Sequence, residues 1–333
     1  MRSIKSGIGI FSITLFILVT LGAWKIYSPG TQIEKLRMAE ASQPVFALIY
    51  LAESLGYFAD EKLEITYDSY TSGRDALNSV VSGKNDIATV YETPVVLQAF
   101  NGVELAVVAE LHNSTSNTGL VARKDRGIHV AADLRGKRIG VPLKTNAEFF
   151  VSLFLSSHGI HPNEVTLVPV KPNDMAATLK GDTVDAISVW NPNLYKTKAA
   201  FSEDEITSFY SDVYTEISVL ALKRDNADQR GEAILRLLRA LKRAEAYLKE
   251  NSAEAKKLVI AQLPPNVQIT APHVWDAFSA ELKLDTVLLS TLQGEADWLK
   301  EAGSFSDKSM PDFTALIDTQ YLNEIYPQAV TIE

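Results

Sequence analysis

Ser82-Gly-Lys-Asn-Asp-Ile-Ala-Thr-Val-Tyr-Glu-Thr-Pro94 and Lys180-Gly-Asp-Thr-Val-Asp-Ala-Ile-Ser-Val-Trp-Asn-Pro192 follow one plan. Each has a helix-ending glycine, an aspartate, a short apolar run, an aromatic, a polar residue and a proline. Asp86 precedes Tyr91 by the same interval that separates Asp185 from Trp190. A short apolar run bounded in this way reads as a buried strand of a parallel sheet, and proline suits the first turn of a helix. Two such copies imply two related α/β halves. Each half would present an aromatic–polar pair at the carboxyl end of a strand, where open α/β sheets bind their ligands.

Strand–helix alternation continues outward on both sides. Before the first copy, residues 36–41 and 63–70 read as strands, and 44–58 and 74–81 as helices; after it, 94–100 reads as a helix, and 105–111 and 119–123 as strands. A second series has strands at 137–141, 165–170 and 186–189, and helices at 147–157, 175–179 and 192–200. Residues 218–223 read as a returning strand. Beyond it only helices are predicted, at 232–250, 253–262, 274–282 and about 292–301. The helix at 232–250 has an apolar stripe of Ile234, Leu237, Leu238, Leu241 and Leu248, which leaves Arg236, Arg239, Lys242 and Arg243 for a solvated face. The alternation predicts mostly parallel sheets flanked by helices.

The 333 residues fit two domains of ordinary size, and 46% hydrophobic with 22% charged residues excludes a disordered chain. The net charge is −9, and residues 1–30 hold three basic and no acidic residues, so the body is more acidic still. It would repel a phosphate backbone, which excludes nucleic acid as a partner. The absence of cysteine removes disulfides, thiolate metal sites and cysteine nucleophiles. His112, His129, His158, His161 and His273 show no metal-ligand spacing, and no nucleophile elbow or phosphate loop occurs. No cofactor, metal or enzymatic activity is expected.

Arg2 and Lys5 precede the uncharged run 6–24, long enough as a helix for about 28 Å of bilayer. This is a signal peptide or a membrane anchor. Thr20/Gly22 and Leu21/Ala23 make poor cleavage sites, which favours the anchor. Either way the body beyond the linker at 28–32 would lie outside the cytoplasm.

Several motifs then occur in a telling order: Ser42-Gln-Pro44, Gly56-Tyr-Phe58, Ser72-Gly73, Gly83-Lys-Asn-Asp86, Asp133-Leu-Arg-Gly-Lys-Arg-Ile-Gly-Val-Pro142, Val189-Trp-Asn-Pro192 and Met310-Pro-Asp-Phe313. Together they resemble the extracytoplasmic substrate-binding proteins of ABC importers for sulfonates, taurine, nitrate and thiamine-precursor pyrimidines. The chain departs from that pattern at Asn191, where the family usually carries aspartate. The resemblance implies a two-lobed, type II-like periplasmic binding protein. Lobe one would be 31–123 and 221–333, lobe two 124–220, with 1–30 as anchor or signal and crossings near 122–126 and 214–221. It implies a non-catalytic receptor, monomeric, with a small-molecule ligand and permease subunits as partners. The alternative is a membrane-tethered sensing module for a signalling partner.

Candidate binding residues stand where strands end and helices begin: Ser42, Gln43, Ser72, Thr93, Thr145 and Asn146, of which the serines, threonines and asparagine are also readable as helix caps. Ser114 sits between two strands and faces the cleft or forms a turn. Tyr91 and Trp190, with Asn191 beside the latter, could sandwich a ligand. Glu92 at a strand end would pair with an amine and repel a plain anion.

The full-length chain is expected to stay with membranes after alkaline washing and to keep its N-terminus. A soluble product starting near Ala23 or Trp24 would instead make the segment a cleaved signal. Residues 31–333 are expected to fold alone.

Overall fold

Arg37 and Arg138 open the description because an aspartate clips each in the same way. Asp86 Oδ2 accepts from Arg37 N at 2.8 Å and Nε at 3.2 Å, and Oδ1 accepts from Nη2 at 2.8 Å. Asp185 repeats this on Arg138 at 2.9, 3.2 and 2.8 Å. Each aspartate also donates its own N–H to that arginine's carbonyl at 2.8 Å. The repeated aspartate of the sequence is therefore a register pin between neighbouring parallel strands.

The computed structural model describes residues 32–212 and 214–332; the apolar run 6–24 lies outside them. No described helix is long and apolar enough to cross a membrane. The strands are β1 (Glu34–Ala41), β2 (Leu63–Tyr70), β3 (Ile87–Tyr91), β4 (Leu105–Ser114), β5 (Thr118–Arg123), β6 (Arg138–Val141), β7 (Thr166–Pro169), β8 (Ala186–Trp190), β9 (Ile206–Phe209), β10 (Glu216–Lys223) and β11 (Ser279–Lys283). They form two sheets, ordered β11-β4-β10-β3-β1-β2 and β7-β6-β8-β5-β9. In the first, β1 is parallel to β2 and β3; in the second, β6 is parallel to β7 and β8. β10 and β5 join them antiparallel.

Each sheet has its own core. Leu36, Met38 and Ile87 pack with Leu237, Leu238 and Leu241 of the helix Gly231–Glu250, whereas Ile139, Val141 and Ile187 pack with Phe150 and Phe154. Of the stripe read from that long helix, Ile234, Leu237, Leu238 and Leu241 are buried as its period requires, and Leu248 is half-buried against the same core. Its basic residues are not all solvated: Arg236 is buried, reaching Glu232 and the carbonyls of Gln32 and Lys62. Arg239 and Arg243 pair with Glu61 and Asp60.

Three expectations are corrected. The region read as a helix at 274–282 ends in the strand β11, an edge strand on β4, with Leu282 buried and its neighbours half-buried. The strand β9 has no counterpart in the sequence reading. The chain passes between the sheets from β4 to β5 and back from β9 to β10, the first passage earlier than the expected 122–126, because β5 pairs with β8 and β9.

Burial alone would raise the Asp86 carboxyl, but Arg37 and Arg230 hold it below the ordinary carboxylate range. The hydrogen bonds from Arg138 do the same for Asp185. Stability from such depressed groups is present above the ordinary range and is lost as pH falls through the folded-state value. Asp86→Asn and Asp185→Asn are each expected to cost about 1–3 kcal/mol in urea unfolding at neutral pH and to flatten the acid limb. Asp182→Asn, at an exposed ion pair, is expected to cost less than about 1 kcal/mol.

Candidate functional site

Because Asp86 and Asp185 pin equivalent registers, β3 and β8 deliver Tyr91 and Trp190 to strand ends. A cavity of about 120 Å³ opens there, walled by Ser42 and Gln43 after β1, Tyr70 and Thr71 at the end of β2, Trp190 at the end of β8 and Lys196 in the helix that follows. Asn191 lines a neighbouring cavity of about 340 Å³ with Tyr195 and His273, whose rings stack across the cleft at 4.7 Å. Thr93 lines a third, of about 640 Å³, with Arg74, Lys144 and Trp298. Arg74 also ties the sheets directly, donating to the Leu143 carbonyl at 2.6 Å.

The structure thus brings Ser42, Gln43 and Trp190 together and separates the other candidates. Ser42 donates to Glu40 at 2.9 Å, while Gln43 is buried with its Oε1 unpartnered among the described residues. Ser72 is a cap: its hydroxyl accepts from Asp75 N at 3.2 Å and donates to the Asp75 carboxylate at 2.9 Å. Thr145 gives its hydroxyl to the Pro142 carbonyl at 2.6 Å. Ser114 makes the turn, accepting from Ser116 N and Asn117 N at 2.9 Å. Ser72, Tyr91, Glu92, Ser114, Thr145 and Asn146 line none of these three cavities. Tyr91 does not line the cavity that Trp190 lines. Tyr91 packs edge-on against His112 at 5.4 Å, and its hydroxyl meets His112 Nε2 at 3.0 Å and Asn117 Nδ2 at 3.1 Å.

Glu92 is fully enclosed at the junction of the sheets, accepting from Ile217 N at 3.1 Å. Burial, then the neighbouring Glu295, push its carboxyl well above the ordinary range. Glu295 is raised as well by burial, against hydrogen bonds from Thr93 at 2.8 Å and from Glu92. Burial thus disfavours charge on both carboxyls of the pair. One residue before Ile217, Glu216 accepts from the Thr118 hydroxyl and from Asn146 Nδ2, the latter at 3.0 Å. Burial pushes the Glu216 carboxyl up to about 7, against hydrogen bonds from Thr118, Asn117 and Asn146.

Sequence reasoning missed Lys196, Glu216 and Glu295. The Lys196 side chain makes no ion pair or hydrogen bond among the described residues, and burial lowers its pKa with no carboxylate to oppose it. Its one signal was a position one turn into the helix that follows Pro192. Glu216 shows in sequence as an acid at the head of the apolar run Ile217–Leu222.

Two α/β sheets, joined by two crossings and closing on a cleft at their strand ends, define the two-lobed periplasmic binding protein fold. The alkanesulfonate-binding protein SsuA from Xanthomonas axonopodis pv. citri, bound to MOPS, shares it with a TM-score of 0.71 at 18% identity, over 87% of this chain and 100% of that one. The aliphatic sulphonate-binding SsuA from Escherichia coli gives 0.69 at 18% identity, over 87% and 98%. The chain belongs to the NMT1/THI5-like family, which it matches over residues 43–255. It is 23% identical to the taurine-binding periplasmic protein of Escherichia coli (strain K12) over 286 residues, covering 82% of each.

Glu216 gives a stability test that needs no ligand. A carboxyl raised in the folded state contributes stability that is complete below its ordinary pKa and lost as pH rises through the folded value. The melting temperature is expected to fall between about pH 5 and 7, where the folded state holds a proton that the unfolded chain has lost, and less steeply in Glu216→Gln.

Proposed function

We propose that the chain is a non-catalytic solute receptor that captures a small polar organic molecule between two lobes and hands it to an ABC importer. One observation carries this reading: a cavity lined from both sheets, with Gln43 on one side and Trp190 and Lys196 on the other. A ligand contacting both walls favours the closed form by its differential affinity. On this reading the lobes are 31–123 with 221–333 and 124–220, with β5 passing to the second, and residues 6–24 are a signal peptide or a membrane anchor that exports the chain. The lining of hydroxyl and amide groups, one indole and one cation suits a sulfonate-, taurine- or pyrimidine-like solute. The names of the relatives support the same class.

A melting-temperature screen of taurine, alkylsulfonates, nitrate and pyrimidines is expected to yield at least one stabilising compound that is not turned over. At a hundred times its dissociation constant, such a ligand adds about 2.7 kcal/mol. Trp190→Ala is expected to weaken it several-fold with the fold intact. A screen without a hit, together with one scattering profile in all conditions, would remove the receptor reading.

A further inference from the structure

The cavity between Gln43 and Trp190 carries one charge, and that charge stands alone. Lys196 is the only charged residue lining it among the described residues. Its side chain is half-buried and unpaired, and burial lowers its pKa with no carboxylate to oppose it. The chain holds 41 acidic residues against 32 basic ones, so this isolation does not come from a shortage of acids. Glu40, which Ser42 reaches from the cavity wall, is already held by the hydroxyls of Ser42, Ser69 and Tyr50. Glu92 lines none of the three cavities, so the repulsion expected of it toward a plain anion does not arise here.

The facing wall has an unspent group as well. Gln43 is 5% exposed, and its Oε1 finds no hydrogen-bond donor among the described residues. Buried polar atoms in native proteins are almost always satisfied, and this one belongs to a residue that lines open space. An apolar cavity of about 150 Å³ holds benzene, so about 120 Å³ suits a solute of about six non-hydrogen atoms. An ammonium that burial penalises is restored by an anion beside it. The Trp190 indole between the two polar groups offers a surface to a short carbon chain.

We propose that Lys196 and Gln43 are the specificity-determining pair of the cavity, so that the solute is a short-chain molecule with one acid group for the lysine and an O–H or N–H for the carboxamide. This rests on the receptor reading and narrows it, since a neutral pyrimidine would leave Lys196 unpaired when the lobes close on it.

Calorimetric titration of the full chain tests both ends with 2-hydroxyethanesulfonate and taurine as reference probes. Their neutral-headed counterparts, 2-hydroxyethanesulfonamide and 2-aminoethanesulfonamide, are expected to bind at least tenfold more weakly, and ethanesulfonate, which lacks the donor, at least threefold. Lys196→Met should bring acid and sulfonamide within threefold, whereas Lys196→Arg should keep the preference. Gln43→Leu should bring 2-hydroxyethanesulfonate and ethanesulfonate within twofold and leave the preference for the acid. Lys257→Met, at an exposed ion pair, should leave every affinity within twofold of wild type. Since Lys196 has no partner in the fold, Lys196→Met should melt no lower than wild type. Should it nevertheless misfold, the acid–sulfonamide comparison and its loss with added salt in the wild-type chain decide the matter. Equal binding of acid and sulfonamide, or a preference that survives Lys196→Met, overturns the assignment and leaves the receptor standing. So does stabilisation by another screened compound when neither reference probe binds. If no probe binds and no screened compound stabilises the protein, the receptor reading falls and the assignment with it.

Discussion

An aspartate that grips a neighbouring strand's arginine sets the geometry on which the cleft depends. Asp86 and Asp185 each hold an N–H and a guanidinium, at distances that agree to within 0.1 Å. The clip stands at the amino end of its strand, and a fixed interval later the strand ends in an aromatic. A one-residue slip would turn every side chain of β3 or β8 to the wrong face. The clip therefore does two things at once: it selects the register and fixes where each strand stops.

The same clip explains why so much of the architecture was legible in the sequence. An aspartate, an apolar run and a proline-opened helix lie within about a dozen residues, and local patterns of that kind survive in sequence. The parts that were not legible depend on distant partners. β11 exists because β4 offers a free edge, and nothing within residues 274–283 announces that edge. The first crossing was misplaced because membership of β5 in the second sheet is decided by β8 and β9, more than sixty residues downstream.

Site residues divide on the same principle. Ser42, Gln43 and Trp190 stand at strand ends and were found by position alone. Ser72, Thr145 and Ser114 stand in equivalent places, yet their hydroxyls are consumed by a cap, a carbonyl and a turn. Sequence cannot separate a strand-end hydroxyl that faces the cleft from one that closes its own loop, since both satisfy the same local chemistry. Lys196 and Glu216 were overlooked for the converse reason. A lysine on a helix and an acid beside a strand are ordinary in sequence and become unusual only when burial leaves them without opposite charge.

Charge then orders the interior of the cleft. The cation at Lys196 lies on the wall of the cavity, and the carboxyls of Glu92, Glu216 and Glu295 lie behind it at the junction. β10 carries Glu216 between β9 of one sheet and β3 and β4 of the other. Its side chain accepts from Thr118 and Asn146 on the second-sheet side, while the next N–H, of Ile217, serves Glu92 on the first. The bonds of Glu216 to Thr118 and Asn146 run across the crossing itself and tie the two sheets together, whereas that of Ile217 stays within the first. A buried carboxyl that keeps its hydrogen bonds is tolerated, and one that loses them must take up a proton or meet water.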